Sequence, residues 1–311
     1  MPLRHLRGQR SAAYRGTAAA LLAAAVLSVA ACGSTSSAST VHVGSGPSHG
    51  AADMDMGDMS MPTAAPIAEA APKGTGLAAS DNGYIYLPAA ASVPAHTPAP
   101  FDFHITGPDD HALKRYQPYE SELVLFYLVR TDLTGFRQLD PTMRQDGTWT
   151  VSLPALQPGS YRTYVTFAAP DSSAGTPLVY TLSAPLTVPG AAANATLPAA
   201  SSSVVVDGYT LKLSVAPKAG AVVPLTLDVT QKGKPVQYFQ RYLDGYAHLT
   251  AFRLGDTAFA HLLSTGRAAV AGGNGPLTAE ALFPEGGTWR LFVQFETGGT
   301  LHQAAFTVNV P

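Results

Sequence analysis

Short runs of alternating apolar and polar residues fill the chain from about Tyr84 to its end. Clusters of Pro, Gly and Asp separate these runs. This pattern is typical of an all-β protein, and no stretch has a helical period long enough to indicate a βαβ unit. The predicted strands of the first half are 100–105, 123–130, 149–153, 160–167 and 178–188. Those of the second half are 209–216, 222–231, 248–254, 259–263, 277–282, 288–295 and 301–310.

The two halves of this region repeat one pattern. Residues 158–167 (PGSYRTYVTF) align with residues 286–295 (GGTWRLFVQF). Upstream, 128–130 (LVR) followed by Gly-Phe aligns with 251–253 (AFR) followed by Ala-Phe. Because the matches keep their order and nearly their spacing, we predict a tandem repeat of one sandwich module. The modules are placed at 82–189 and 204–311, and the Pro- and Ala-rich stretch 190–203 is the linker between them.

Each repeat contains a glycine shortly before an aromatic residue and an arginine. A turn glycine that leads into a central strand, with an aromatic side chain at the end of the core, is found in immunoglobulin-like sandwiches. The predicted fold is therefore all-β, with two tandem immunoglobulin-like β-sandwich modules, and Tyr161 and Trp289 are predicted to fill the core ends. Further along these strands aromatic residues alternate between both faces, so some of them are expected to be partly exposed: Tyr164, Phe167, Phe292 and Phe295.

Residues 1–31 have the features of a secretory signal peptide. A segment with four arginines and no acidic residue precedes an apolar run, 17–31, that is shorter than the roughly 20 residues a membrane span requires. Ala30 and Ala31 then precede Cys32, the only cysteine of the chain. This sequence resembles the lipobox of bacterial lipoproteins, which implies acylation of Cys32 and a lipid anchor at the extracytoplasmic face of the cell membrane. The alternative is a buried free cysteine.

Residues 32–81 are rich in Ser, Gly, Ala, Pro and Thr and contain no aromatic residue, which predicts a disordered tether. Soft thioether ligands select Cu(I), and the tether resembles the Met-rich stretches of extracytoplasmic copper-handling proteins. Copper is therefore a candidate cofactor, and the alternative is that the methionines have no metal role and reflect low-complexity drift or protection against oxidants. The candidate ligands in the tether are His49, Met54, Met56, Met59 and Met61.

Residues 82–311 resemble a group of actinobacterial secreted lipoproteins, mostly of unknown function. That resemblance implies, in each module, a histidine at the start of the strand that ends in Val-x-Arg and a later Phe-x-His-x-His-Pro segment. Three imidazoles placed in this way could hold a metal ion. The first module lacks all of these histidines, and its equivalent positions are Leu125, Gln138, Asp140 and Pro141.

The second module keeps part of the histidine pattern. His248 and His261 match it, whereas Leu263 and Ser264 replace the final His-Pro. His302, on the last predicted strand, is a candidate third ligand. A site of two or three histidines without cysteine favours Cu(II) or Zn(II) over Cu(I). Alternatively, these are separate histidines with structural hydrogen bonds.

The chain contains no nucleophile, phosphate-binding or metalloprotease motif, and we expect no enzymatic activity. A formal net charge of -2 favours no nucleic-acid partner. The leading hypothesis is a membrane-anchored extracytoplasmic binding lipoprotein that captures or buffers copper-like metal ions. The alternative is a non-metal envelope adaptor that contacts another envelope protein or a cell-wall polymer. A third hypothesis is a degenerate family member that kept the fold and lost the site.

Overall fold

Strands paired in antiparallel fashion account for all of the regular structure in the part of the chain that the computed structural model describes. This part comprises residues 75–169, 178–264 and 275–311, without the side chains of His261 and Ser264. All of these residues belong to one compact unit. Six of the predicted functional residues lie outside them: Cys32, His49, Met54, Met56, Met59 and Met61.

The first module consists of two sheets. One sheet has the strand order β1-β2-β3-β7-β6 and the other has the order β5-β4-β8-β9. These orders correspond to the A-B-E-D and C-F-G sheets of an immunoglobulin-like sandwich. The strands are β1 (Ser80–Asp81), β2 (Tyr84–Pro88), β3 (Ala99–Thr106), β4 (Leu125–Arg130), β5 (Arg137–Leu139), β6 (Thr142–Met143), β7 (Trp149–Leu153), β8 (Gly159–Ala169) and β9 (Leu178–Val188).

The second module repeats this arrangement as one continuous sheet. Its order is β10-β11-β12-β16-β15-β14-β17-β18, with β13 paired to β12. The sheet is continuous because β15 pairs with β16, whereas the corresponding β5 and β7 lie in different sheets. The strands are β10 (Ser203–Val206), β11 (Tyr209–Val215), β12 (Val222–Gln231), β13 (Lys234–Pro235), β14 (Ala247–Arg253), β15 (Phe259–Ser264), β16 (Leu277–Leu282), β17 (Gly287–Thr297) and β18 (Thr300–Val310).

The all-β, immunoglobulin-like prediction is confirmed. Four predicted strands have the observed bounds at both ends: 149–153, 178–188, 222–231 and 277–282. The sequence missed six short strands of two to five residues each: β1, β2, β5, β6, β10 and β13. Among the described residues, no helix has the length and apolar character that a membrane span requires.

Each module has its own apolar core, and the predicted core positions of Tyr161 and Trp289 are confirmed. Each of these side chains also donates a hydrogen bond to a carbonyl oxygen four residues upstream. Tyr161 Oη donates to Gln157 O at 2.9 Å, and Trp289 Nε1 donates to Glu285 O at 3.1 Å. This contact resembles the tyrosine corner of immunoglobulin-like domains and satisfies the polar atom of a buried ring. The two modules therefore share this detail as well as their topology.

Residues 75–79, which the sequence assigned to the tether, contact both modules. Ala78 O accepts a hydrogen bond from Ser183 N of the first module at 2.9 Å. Thr75 O accepts one from Phe259 N of the second module at 2.7 Å. Sequence reasoning missed this segment because its hydrogen bonds use backbone atoms, which leave no mark in composition, and only Leu77 packs against a module core. The folded unit therefore begins before the first predicted strand, at the place where the modules meet.

Candidate binding site at the module junction

A third apolar cluster lies between the two modules. It forms because β4, β8, β14 and β17 are buried on both faces, so that one face fills the module core and the other packs on the neighbouring module. Tyr164 and Phe292 are therefore buried, which corrects the expectation that such aromatics are partly exposed. The buried members of the cluster are Leu125, Tyr127, Val129, Leu133, Phe136, Tyr164, Phe252, Phe259 and Phe292.

The ring contacts of this interface are reciprocal between the repeats. Phe136 of the first module stacks on Phe292 of the second, with ring centroids 4.3 Å apart and an interplanar angle of 16°. The aligned residues Phe259 and Tyr164 also meet, with centroids 5.9 Å apart. The Tyr164 hydroxyl donates a short hydrogen bond to the backbone oxygen of Thr257. Equivalent faces of the two repeats thus pack against each other.

His248 connects the modules with polar contacts at one side of this interface. It is buried, and its Nδ1 lies 2.9 Å from Glu120 Oε2 of the first module. Because an ionised carboxylate only accepts hydrogen bonds, Nδ1 carries the proton. The Nε2 atom lies 3.2 Å from the Tyr127 hydroxyl, which donates to it when the ring is neutral. His248 therefore links a carboxylate and a phenol of the other module.

A cleft of about 320 Å³ opens next to His248. Among the described residues, its lining contains two tyrosines and two carboxylates, and no lysine or arginine. Both modules contribute to it: Pro118, Tyr119 and Glu120 from the first, and Tyr242, Leu243, Asp244, Gly245, Ala247, His248 and Leu263 from the second. The Ser121 hydroxyl donates a short hydrogen bond to Asp244 at the boundary between the modules.

Negative charge concentrates around Tyr242. Burial raises the pKa of the Tyr242 phenol to about 12, and the charges of Asp140, Glu122, Glu120 and Glu296 contribute to the shift. The pKa of Glu122 is also raised, first by burial and then by the neighbouring Asp140. Among the described residues, no lysine or arginine charge offsets either of these shifts. The mouth of the cleft is therefore negatively charged at neutral pH.

The structure does not bring His248 and His302 together. In the register of the sheet, His248 pairs with Gln294, whereas His302 pairs with Phe295, the next residue along β17. Successive residues of a strand point to opposite faces, so His248 faces the other module and His302 faces the core of its own. The Nδ1 atom of His302 is held by Asp207 Oδ2 at 2.8 Å.

His261 pairs in register with Thr250 on β14. Within the described residues, no group of three or more His, Cys, Asp and Glu side chains has the arrangement of a metal site.

Sequence reasoning selected His248 but missed its partners Glu120 and Tyr127. The upstream part of the repeat contained a signal that could have identified Glu120. Gln117 and Tyr119 stand at the same distance before Arg130 as Gln240 and Tyr242 stand before Arg253, so the repeat extends upstream of the aligned segments. Extending the alignment places Leu125 opposite His248 and Glu120 opposite Leu243. Residues that differ at equivalent positions of a repeat are candidates for an asymmetric contact.

Comparison with known proteins gives a partial match. Residues 203–311, which form the second module, match a family model described as a domain of unknown function, DUF8832. No curated protein matches the chain.

Three solved structures have low similarity to the chain. The Escherichia coli adhesin FdeC has 18% identity over 75% of this chain and 65% of that chain, with a TM-score of 0.25. Domains 4–9 of the surface layer protein SbsC have 12% identity over 73% of this chain and 30% of that chain, with a TM-score of 0.21. Salmonella alpha-2-macroglobulin reacted with methylamine has 10% identity over 77% of this chain and 16% of that chain, with a TM-score of 0.26. The chain thus spans less than two thirds of each, and similarity at this level carries no information on function.

Proposed function

We propose that this protein is a non-catalytic interaction protein of the cell envelope, in which the cleft between the two modules contacts the partner. The observation that carries this proposal is that both modules contribute side chains to one cleft while an aromatic interface joins them. Loops supported by two packed sandwiches are a common form of binding surface. Export and anchoring rest on the signal sequence and on Cys32.

Photo-cross-linking in intact cells tests the role of the cleft. We expect p-benzoyl-phenylalanine at Asp244, at the cleft mouth, to give an adduct of defined mass. The same group at Asp228, an exposed position of β12, serves as the matched control. The adduct should also disappear when Phe136→Asp disturbs the module interface. Absence of an adduct at Asp244, or equal adducts at both positions, would contradict the proposal.

Anchoring at Cys32 is tested separately. The Cys32→Ser variant should lose incorporation of labelled palmitate and should no longer sediment with membranes, because the acyl chains supply the membrane affinity. A Cys32→Ser protein that still fractionates with membranes would show that the anchor lies elsewhere. This outcome would leave the proposal for the cleft unaffected.

Capture of copper-like ions by the tether is a second proposal, and it rests on four methionines within residues 54–61. Replacing all four with leucine should abolish weak Ag(I) binding, because leucine retains the size and loses the thioether. Isothermal titration of the mature chain and of this variant makes the comparison. Equal binding by both would remove the methionine hypothesis.

A further inference from the structure

We infer that the junction cleft binds a protonated primary amine, of the kind that a lysine side chain presents. This inference rests on the proposed interaction function, since it names the chemical group that the same cleft accepts. The cleft volume of about 320 Å³ lies at the lower end of the range for small-molecule sites and fits one extended side chain. Two properties of the cleft carry the inference: its charge and its aromatic walls.

The charge of the cleft mouth is negative and not compensated. Asp244 lines the cleft, and the charges of Glu122, Asp140 and Glu296 act on the Tyr242 phenol. Among the described residues, no Lys or Arg forms an ion pair with any of these four carboxylates. The nearest cation in sequence is Arg241, which donates to the backbone oxygen of Asp244 at 2.7 Å and lies 5.8 Å from the Tyr246 ring centroid. A cationic ligand would relieve the repulsion between these carboxylates.

Tyrosine rings form part of the cleft wall. Tyr119 and Tyr242 line it, and Tyr242 meets the His248 ring edge-on with centroids 6.5 Å apart. The face of a phenol ring attracts an ammonium group, and this attraction grows where water is excluded. The absence of a three-ligand metal arrangement among the described residues favours a diffuse organic cation over a metal ion. Acidic groups beside aromatic faces are suited to an ammonium on an alkyl chain.

Isothermal titration of the mature chain with Nα-acetyl-L-lysine amide tests the inference. We expect saturable binding at one site with a Kd of about 1 mM or tighter. The neutral analogue, acetylated on both amines, should not bind, because it keeps the alkyl chain and loses the charge. Equal binding of the two compounds, or no binding of the charged one, would overturn the inference.

Variants locate the binding in the cleft. Asp140→Asn combined with Asp244→Asn should weaken binding at least tenfold, and both positions are exposed, so that the fold should persist. Asp228→Asn removes an exposed carboxylate elsewhere in the second module and should leave the Kd unchanged. Tyr242→Phe should retain the affinity, whereas Tyr242→Leu should reduce it. Equal losses in the cleft and control variants would overturn the assignment.

The combined outcomes of the titration and the cross-linking experiment separate this inference from the proposed function. If CaCl2 binds and displaces the amine stoichiometrically, the cleft is a metal site and the ammonium assignment is wrong. If cross-linking at Asp244 succeeds while the lysine analogue does not bind, the interaction function stands and only the ligand class fails. If both experiments fail, the proposed function fails with it.

Discussion

The two modules use equivalent faces to contact each other, but they differ at the two positions that decide the polarity of the contact. The first module has Glu120 and Leu125 where the second has Leu243 and His248. Glu120 and His248 form the polar contact across the junction, whereas Leu125 and Leu243 both pack in the apolar cluster. An interface between repeats can thus acquire a polar side through changes at two positions. That polar side is also where the cleft opens.

The aromatic part of the interface should give the largest effect. Phe136→Asp places a charge against Phe292 in a buried cluster, where an unpaired ion costs several kcal/mol. We expect the modules to unfold in separate transitions, whereas in the unaltered chain both should unfold together. Trp149 lies in the first module and Trp289 in the second, so fluorescence of single-tryptophan variants reports on each.

Phe126→Ala is the matched control for that experiment. Phe126 is buried in the core of the first module, next to the interface strand positions but on the other face of β4. Loss of the Phe126 side chain should lower the free energy of unfolding by about 3–5 kcal/mol. The unfolding transition should move to milder conditions, but both modules should still unfold together. Separate transitions in Phe126→Ala, or coincident ones in Phe136→Asp, would contradict the role assigned to the cluster.

The polar side of the interface should give the next largest effect. His248→Leu alone removes the imidazole that contacts the largely buried Glu120 carboxylate, and we expect a loss of about 3 kcal/mol in the free energy of unfolding. Glu120→Leu combined with His248→Leu reproduces the Leu243 and Leu125 pair and should recover most of this loss. Leu243 has the positive φ of 53° that Glu120 has at 51°, so the turn accepts leucine.

Chemical denaturation of both single variants and the double variant measures the coupling between these residues. A double variant as unstable as His248→Leu would show that the two sides of the interface are not interchangeable. In that case the histidine would be required by the packing itself, independently of Glu120.

The equivalent turn glycines allow a finer comparison of the modules. Gly159 and Gly287 have φ values of +150° and +130°, which disfavour any side chain. A Cβ on Gly159 would lie 2.6 Å from Arg130 Nε, whereas one on Gly287 would lie 3.3 Å from Arg253 Cδ.

Gly159→Ala should therefore destabilise more than Gly287→Ala, by roughly 1 kcal/mol within the usual 1–3 kcal/mol for backbone strain. Arg130 cannot move freely, because it donates to Pro158 O and Ala193 O and pairs with Asp132. Thermal denaturation of the two alanine variants measures the difference. The reverse order would mean that Arg253, which pairs with Asp256 and Glu285, is held more firmly than Arg130.

The smallest effect should come from the charge at the cleft mouth. The raised pKa of Glu122 means that the folded protein retains this proton more readily than the unfolded chain. The associated stability is present below the unfolded pKa and is lost as pH rises through the folded pKa. Glu122→Gln should therefore stabilise the protein at pH 7 by less than about 1 kcal/mol, with no gain at acidic pH.

Melting temperatures of Glu122→Gln and of the unaltered chain, measured from acidic pH to pH 7, show whether the substitution stabilises the protein as expected. Asp256 provides the contrast. Its pKa is lowered, mainly by the hydrogen bond from Arg253, so Asp256→Asn should destabilise at pH 7 and less so as the pH falls. A Glu122→Gln variant that destabilises at neutral pH would mean that the repulsion at the cleft is already compensated.

Sequence patterns alone were enough to predict the fold class, the repeat and most of the long strands. Alternation and turn residues are local signals, so the predicted strands 178–188 and 222–231 needed no knowledge of distant parts of the chain. The burial of Tyr161 and Trp289 followed from the same local pattern. The sequence also singled out His248, although for a metal site with His302 that the register of the sheet does not assemble.

The packing of the two modules and the position of the cleft could not be predicted from the sequence and emerge from the three-dimensional fold. Period-two alternation shows which residues share a face, but it does not show what covers that face. The second apolar face of β8 and β17 is satisfied by the other module, and His248 finds Glu120 and Tyr127 more than a hundred residues away. Contacts between distant segments depend on the packing of whole sheets, and this is where the candidate site arises.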